Sequence, residues 1–168
     1  MCDSPIGPGH EPETIRIFDQ VLRDGDEVLI AGAHQGYFAG HCSKLVGKTG
    51  RVLAFEPEPR NFDILSKAVE GLGNVEVFPF ARGDRTADDV VFYIKAENEG
   101  GDALWDVSKH IENEKTRENK QIIKVSIRTI DELFADRYMG RVKLLMLDAE
   151  GAEHAILKGG INTVVDNG

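Results

Sequence analysis

The alternation of short apolar runs with helical patterns is the feature of this chain that most limits its fold. Three such runs follow one another at a steady pace, and a fourth comes after a more polar stretch. Between the first three, apolar residues recur at helical spacing. Because parallel strands need a crossover of a dozen or more residues, this order predicts an α/β fold with an open, mainly parallel sheet. The four predicted strands are Val28–Ala31, Val52–Phe55, Val75–Phe80 and Leu144–Leu147.

The length of the chain and the spacing of its apolar residues also predict the domain boundary and the helices. A length of 168 residues fits one domain. We expect a flexible, proline-containing arm over residues 1–12 and a single α/β domain over residues 13–168, opened by a short helix at Thr14–Leu22. The arm has neither the basic patch nor the apolar run of a signal peptide. Further helices are predicted over Phe38–Leu45, over Phe62–Leu72 and from Glu153 to Lys158.

A polar stretch separates the third predicted strand from the fourth. Two β-type runs, Val90–Ile94 and Ile122–Ile127, bracket a charged tract that we interpret as a solvated loop with a surface helix. The two runs can pair antiparallel as an added β-arm. We expect the arm, a second copy of the chain or a further C-terminal segment to cover the edge of the fourth strand, because native proteins rarely leave an apolar edge open.

Charge and cysteine content exclude several classes of protein. The formal net charge is −9, which repels phosphate backbones and anionic lipids, so we expect neither nucleic acid nor membrane as a partner. Cys2 and Cys42 are too few for a disulfide framework or a thiolate zinc site, and they suit a reducing, cytoplasmic setting. Every apolar run is far shorter than the roughly 20 residues that span a bilayer.

A glycine-bounded turn follows the first predicted strand. It covers Gly32–Gly36, where an open α/β sheet binds nucleotide-like ligands, because glycine lets the backbone approach them closely. The turn does not fit the dinucleotide fingerprint, since His34 occupies the place of the second glycine. That mismatch argues against a nicotinamide dehydrogenase. A purely structural turn remains an equal alternative.

Two acidic residues end other predicted strands. Glu56 follows the second strand, where a carboxylate can accept both hydroxyls of a ribose; alternatively, it only favours the start of the next helix. Asp148 follows the fourth strand and can accept a proton from a substrate hydroxyl or hold a cation. With Glu150 and Glu153 it can equally complement a helix dipole. Only His154 lies nearby in sequence, so we expect no zinc site.

Four segments resemble one family. They are Val28–Phe38, Gly50–Asn61, Arg128–Leu133 and Leu145–Glu153, and they resemble the FkbM family of class I S-adenosylmethionine-dependent methyltransferases, whose fold is Rossmann-like. The resemblance implies that S-adenosylmethionine is the cofactor and that Asp148 faces the methyl acceptor. It also implies a set of cofactor-binding residues: Gly32, His34 and Gly36 at the methionine part, Glu56 with Pro57 at the ribose, and Asn61 and Ala81 nearby.

The resemblance implies transfer of a methyl group to a hydroxyl on a small or carbohydrate-like molecule, with Asp148 as the base or the acceptor-orienting group. Two departures favour a different class, a non-catalytic or partner-dependent binding module. Ile30 stands where the family usually has an acid, and the chain ends before the usual last strands. We expect the missing acid to weaken cofactor binding.

Overall fold

The computed structural model describes residues 11–95, 120–136 and 142–163. Within them, helices and strands alternate over the first half of the chain, as the apolar pattern predicts. The strands are β1 (Glu27–Ala31), β2 (Arg51–Phe55), β3 (Val75–Phe78), β4 (Phe80–Arg82), β5 (Ala87–Lys95), β6 (Lys120–Arg128) and β7 (Val142–Leu147). The helices are α1 (Pro12–Val21), α2 (Tyr37–Val46), α3 (Pro59–Ala68), α4 (Ile130–Asp136) and α5 (Glu153–Lys158).

A four-stranded parallel sheet forms the centre of the molecule, in the order β3-β2-β1-β7. It confirms the predicted α/β class, and it shows that the fourth predicted strand lies beside the first. The register is continuous at the carboxyl ends: Ala31 is paired with Phe55 on one side and with Leu147 on the other. All three strands therefore end at the same level, which fixes where the residues after them lie.

Both faces of β1 are buried, which explains its nearly continuous apolar sequence. Val28 and Ile30 face a cluster with side chains of α1, α2 and α3. Leu29 and Ala31 face a second cluster that includes Ile130 of α4 and Ile156 of α5. The central sheet is therefore covered by helices on both sides, with two separate apolar layers.

The third predicted strand is interrupted, which corrects the prediction of one strand over Val75–Phe80. β3 ends at Phe78, and β4 begins at Phe80 in another sheet. Pro79 stands between them, and a proline has no N–H to donate to a ladder. The apolar run alone did not reveal this change of sheet.

A second, three-stranded sheet has the order β4-β6-β5. β5 and β6 pair antiparallel, which confirms the predicted β-arm, and β6 also pairs parallel with β4. The described strands of the arm, β5 and β6, therefore do not pair with β7; residues 96–119 of the arm lie outside the described residues, so what covers this edge stays a prediction. Among the described residues, β1 is the one strand hydrogen-bonded to β7.

Other predictions differ at element ends or fall outside the described residues. Helix α3 ends at Ala68, earlier than the predicted Leu72. α1 begins at Pro12, so only residues 11 and 12 of the predicted arm are described. The predicted loop and surface helix lie mostly within 96–119, outside the described residues. No helix in the described part of the chain is long and apolar enough to cross a bilayer.

Asn74 fastens the end of α2 to the start of β3. Its Nδ2 donates to the carbonyl oxygens of Ser43 (2.9 Å) and Gly47 (2.7 Å), and its Oδ1 accepts from the Ser43 hydroxyl at 2.6 Å. The last carbonyls of a helix have no partner within the helix. The amide of Asn74 satisfies two of the carbonyls at this helix end and holds α2 against the sheet.

We predict that Asn74→Ala lowers the free energy of unfolding by about 2 kcal/mol or more, because three hydrogen bonds are lost and buried groups are left without partners. Ser43→Ala, which removes one of these bonds, serves as the control and should lower it by about 1 kcal/mol. Urea unfolding followed by circular dichroism measures both. If the two substitutions lower the free energy of unfolding equally, Asn74 does not hold α2 against the sheet.

Candidate functional site

The predicted site residues that end strands meet at the carboxyl edge of the central sheet. Because β1, β2 and β7 end at the same level, Gly32, Glu56 and Asp148 follow them side by side. The Gly32 N–H donates to the Phe55 carbonyl at 3.0 Å, and the Asp148 N–H donates to the Ala31 carbonyl at 3.0 Å. The backbone hydrogen bonding thus continues one residue past β1 and β7, and it joins the first residue of the glycine turn to β2 and Asp148 to the end of β1.

The turn after β1 needs glycine at both ends. Gly32 has φ +84°, and a Cβ there would lie 1.9 Å from the carbonyl oxygen of Asp148. Gly36 has φ +90° and begins α2, and a Cβ there would lie 2.8 Å from Cδ1 of Leu65. At Gly32 an L side chain fits neither the dihedral angle nor the space, and at Gly36 the dihedral angle is the main obstacle. The positive end of the α2 dipole lies at the same edge, because α2 starts directly after this turn.

Glu56 holds the turn from the neighbouring strand. His34 adopts φ +47°, and its N–H donates to Glu56 Oε2 at 2.8 Å, while Glu56 Oε1 accepts from the Glu58 N–H at 3.0 Å. The side chain of Glu56 is buried. Ile30, where the family usually has an acid, is fully buried in the apolar core. In this chain, the acid that fixes the glycine turn therefore comes from the end of β2.

The segment after Glu56 leads directly into α3. Glu58 caps the helix: its carboxylate accepts from the N–H groups of Arg60 (3.0 Å) and Asn61 (2.6 Å), and Pro59 occupies the first turn. Pro57 is half-buried between the two acids, and Asn61 is buried. The structure therefore keeps Pro57 and Asn61 on the segment that begins with Glu56.

Asp148 is exposed and stands at the start of a short loop into α5. Glu153 closes this loop: its Oε1 accepts from the N–H groups of Ala149 (3.1 Å) and Gly151 (3.0 Å). Burial raises the pKa of Glu153, but hydrogen bonds from backbone N–H groups, those of Gly151 and Ala149 among them, outweigh it and lower this pKa. Glu153 is thus an ionised structural group, whereas Asp148 faces solvent.

Ala81 lies apart from the other predicted residues. It is buried in β4 and packs in a third apolar cluster with Phe92, Val125 and Ile127 of the second sheet. A position near the cofactor remains a prediction for this residue.

Arg82 was missed by the sequence analysis. Its guanidinium lies 3.6 Å from the centre of the Phe55 ring, and its Nη1 donates to the Thr129 carbonyl at 2.9 Å. Burial lowers the pKa of Arg82 to about 9, although the charge of Glu132 raises it. An arginine at the start of a polar stretch gives no sequence signal of burial. Only the fold places Arg82 beside Phe55, the residue that precedes Glu56.

The arrangement suits a ligand that has both hydroxyls and a part that must approach the backbone. The turn brings main chain and the N-terminal end of α2 to this edge, and the Glu56 carboxylate offers acceptors for hydroxyls beside it. Asp148 adds an exposed carboxylate on the other side of β1. Among the described residues, no three His, Cys, Asp or Glu side chains lie close enough together to hold a metal ion.

Comparisons with known proteins agree with this geometry. The model of the methyltransferase FkbM domain matches residues 31–167. In the crystal structure of methyltransferase FkbM from Methylobacillus flagellatus, the similar part covers 90% of this chain and 37% of that chain, with a TM-score of 0.54 and 14% sequence identity. At this identity, the likeness concerns the fold.

Two curated relatives also match. They are the protein-L-isoaspartate O-methyltransferase 2 of Archaeoglobus fulgidus, 36% identical over 80 residues, and the protein-L-isoaspartate O-methyltransferase of Methanococcus maripaludis, 36% identical over 85 residues. The matches cover 44% and 45% of this chain. They span only 36% and 40% of the two relatives.

We predict that Gly32→Ala destabilises the fold far more than Gly71→Ala. The two glycines have nearly the same φ, +84° and +83°, but no described atom lies within 4 Å of a Cβ at Gly71. Gly71→Ala should therefore lower the free energy of unfolding by about 1 kcal/mol for the dihedral angle alone. Gly32→Ala adds a clash with the Asp148 carbonyl and should lower it by about 3 kcal/mol or more. Similar urea midpoints for the two variants would contradict the close approach.

Proposed function

Because the chain belongs to the FkbM methyltransferase family, we propose that it is an S-adenosylmethionine-dependent methyltransferase that methylates a hydroxyl oxygen. One observation carries the proposal: the Glu56 carboxylate at the end of β2 accepts from the His34 N–H of the glycine turn after β1. This contact joins a carboxylate suited to ribose to a turn that requires glycine at position 32. Both features belong to one site at the carboxyl edge.

The residues present fit this cofactor. Gly32 and Gly36 allow the turn after β1 to form, and this turn leads into the N-terminal end of α2, where we place the methionine part of the cofactor. Each oxygen of Glu56 accepts one backbone N–H at 2.8 to 3.0 Å, and a carboxylate oxygen can accept a second donor such as a ribose hydroxyl. We assign Pro57, Asn61 and Ala81 to the surroundings of the same ligand. When bound, the cofactor supplies an electrophilic methyl group on a sulfonium.

Asp148 is our candidate for the group that orients the acceptor hydroxyl and takes its proton. Its side chain is exposed at the same edge, across β1 from Glu56, and its backbone is fixed by the ladder bond to Ala31. Glu153 is not the base in this proposal, since its carboxylate is engaged by the loop. Alignment of the acceptor and easier loss of its proton are the two effects we attribute to Asp148.

We propose a hydroxylated acceptor, small or carbohydrate-like. The net charge of −9 disfavours nucleic acid, and the names of the two curated relatives as O-methyltransferases support an oxygen acceptor. We further propose a cytoplasmic setting, which the buried thiol of Cys42 suits. A second copy of the chain remains our candidate for covering the edge of β7.

The alternative is a module that binds the cofactor without transferring its methyl group. It is favoured by Ile30, which brings no charge to the turn. S-adenosylhomocysteine binding without turnover on any acceptor would support this alternative.

We predict that Glu56→Gln weakens the binding of S-adenosylhomocysteine at least about tenfold, because the amide nitrogen of glutamine cannot accept a hydrogen bond. Glu76→Gln makes the same chemical change in β3, where Glu76 pairs with Arg51, and is the control. Calorimetric titration measures the affinity. If both variants bind as the wild type does, Glu56 is not in the cofactor site.

We predict that Asp148→Asn leaves the affinity for S-adenosylhomocysteine within about twofold of the wild type but abolishes methyl transfer, because the amide cannot take the proton of the acceptor. Transfer is measured with methyl-labelled S-adenosylmethionine and pools of monosaccharides, sugar alcohols and phenols. Turnover retained by the variant would reject Asp148 as the base.

A further inference from the structure

One peptide unit, between Asp148 and Ala149, touches both the glycine turn and Glu153. Its carbonyl oxygen lies so close to Gly32 that a Cβ there would come within 1.9 Å. Its N–H donates to Glu153 Oε1 at 3.1 Å. A peptide unit is planar, so the direction of its N–H fixes the direction of its carbonyl. The hydrogen bond from Ala149 to Glu153 therefore sets the orientation of the carbonyl against which Gly32 packs.

The loop after Asp148 has little intrinsic preference for its conformation. Glu150 has φ +47° and Gly151 has φ +91°, and the left-handed region is costly for a residue with a Cβ. The same Glu153 oxygen that binds Ala149 also accepts from the Gly151 N–H at 3.0 Å. One atom thus spans the strained part of the loop and holds both of its ends.

We propose that Glu153 is a positioning residue for cofactor binding, which acts by holding the Asp148–Ala149 peptide against Gly32. The inference rests on the proposed function, since it takes the Gly32 turn to be part of the cofactor site. It separates two roles within one short motif. The side chain of Asp148 serves the acceptor, whereas the backbone of Asp148, through Glu153, shapes the cofactor side.

Helix α5 has anchors other than Glu153. α5 is anchored by Ile156, which is fully buried. Further on, Gly159 lies so close to Gly83 that a Cβ would come within 2.0 Å of the Gly83 carbonyl oxygen. Substitution at position 153 therefore releases the loop while these contacts remain.

The test compares Glu153→Ala with Glu153→Gln by calorimetric titration with S-adenosylhomocysteine. A single oxygen accepts both N–H groups, so glutamine can keep both bonds through its Oε1, and alanine can keep neither. We expect Glu153→Ala to bind about tenfold more weakly than the wild type and Glu153→Gln to bind within about twofold of it. His154→Ala, at the exposed neighbouring position of α5, is the matched control and should bind as the wild type does.

Two binding results would overturn the inference. One is an affinity of Glu153→Ala within about twofold of the wild type; the other is a Glu153→Gln variant as weak as Glu153→Ala, which would show that the charge matters rather than the hydrogen bonds. A purely structural role of Glu153 would lower the urea midpoint of unfolding without changing the affinity of the folded protein.

Deuterium uptake of the segment 28–38 tests the inference without a ligand. We expect faster uptake at the turn in Glu153→Ala than in His154→Ala, with Glu153→Gln close to the control. Equal uptake in all three overturns the inference. If the wild type does not bind S-adenosylhomocysteine, the proposed function fails by itself, and the uptake still decides whether Glu153 holds the turn.

Discussion

The central strand β1 is hydrogen-bonded to a parallel strand on each side, and Gly32 follows it where both neighbours end. The N–H of Gly32 is bound by the Phe55 carbonyl, and its Cα faces the Asp148 carbonyl. The first residue of the turn is thus enclosed by backbone from two strands. Only a residue without a side chain can stand there, and the positions of Glu56 and Asp148 beside it follow from the same register.

The presence of the central strands and the acids that follow two of them could be predicted from the sequence, because buried parallel strands are continuous apolar runs and the residues after them share one edge. The change of sheet at Pro79 was not predicted, since Val75–Phe80, in which Glu76 is the one charged residue, has the pattern of a single strand. The pairing of β4 with β6 joins distant segments, and no local pattern encodes it. The burial of Arg82 depends on that pairing and was missed for the same reason.

The acids at the carboxyl edge of the central sheet have different roles. Glu56 and Glu153 each accept from two backbone N–H groups, one holding the turn after β1 and the other the loop after β7. Asp148 is exposed between these two fixed segments. A carboxylate that accepts backbone N–H groups is stabilised in its charged form. The number of acids at this edge therefore overstates the number of candidates for the base.

The two neighbours of β1 differ greatly in their distance along the chain. Val28 pairs with Val52 of β2, which follows after one helix, but also with Leu144 of β7, near the other end of the described chain. Closing the longer loop costs more entropy and slows the formation of the contact. We therefore expect the contact between the glycine turn and Glu56 to form before β7 pairs with β1. In that order of events, Asp148 reaches the site after the glycine turn and Glu56 have met.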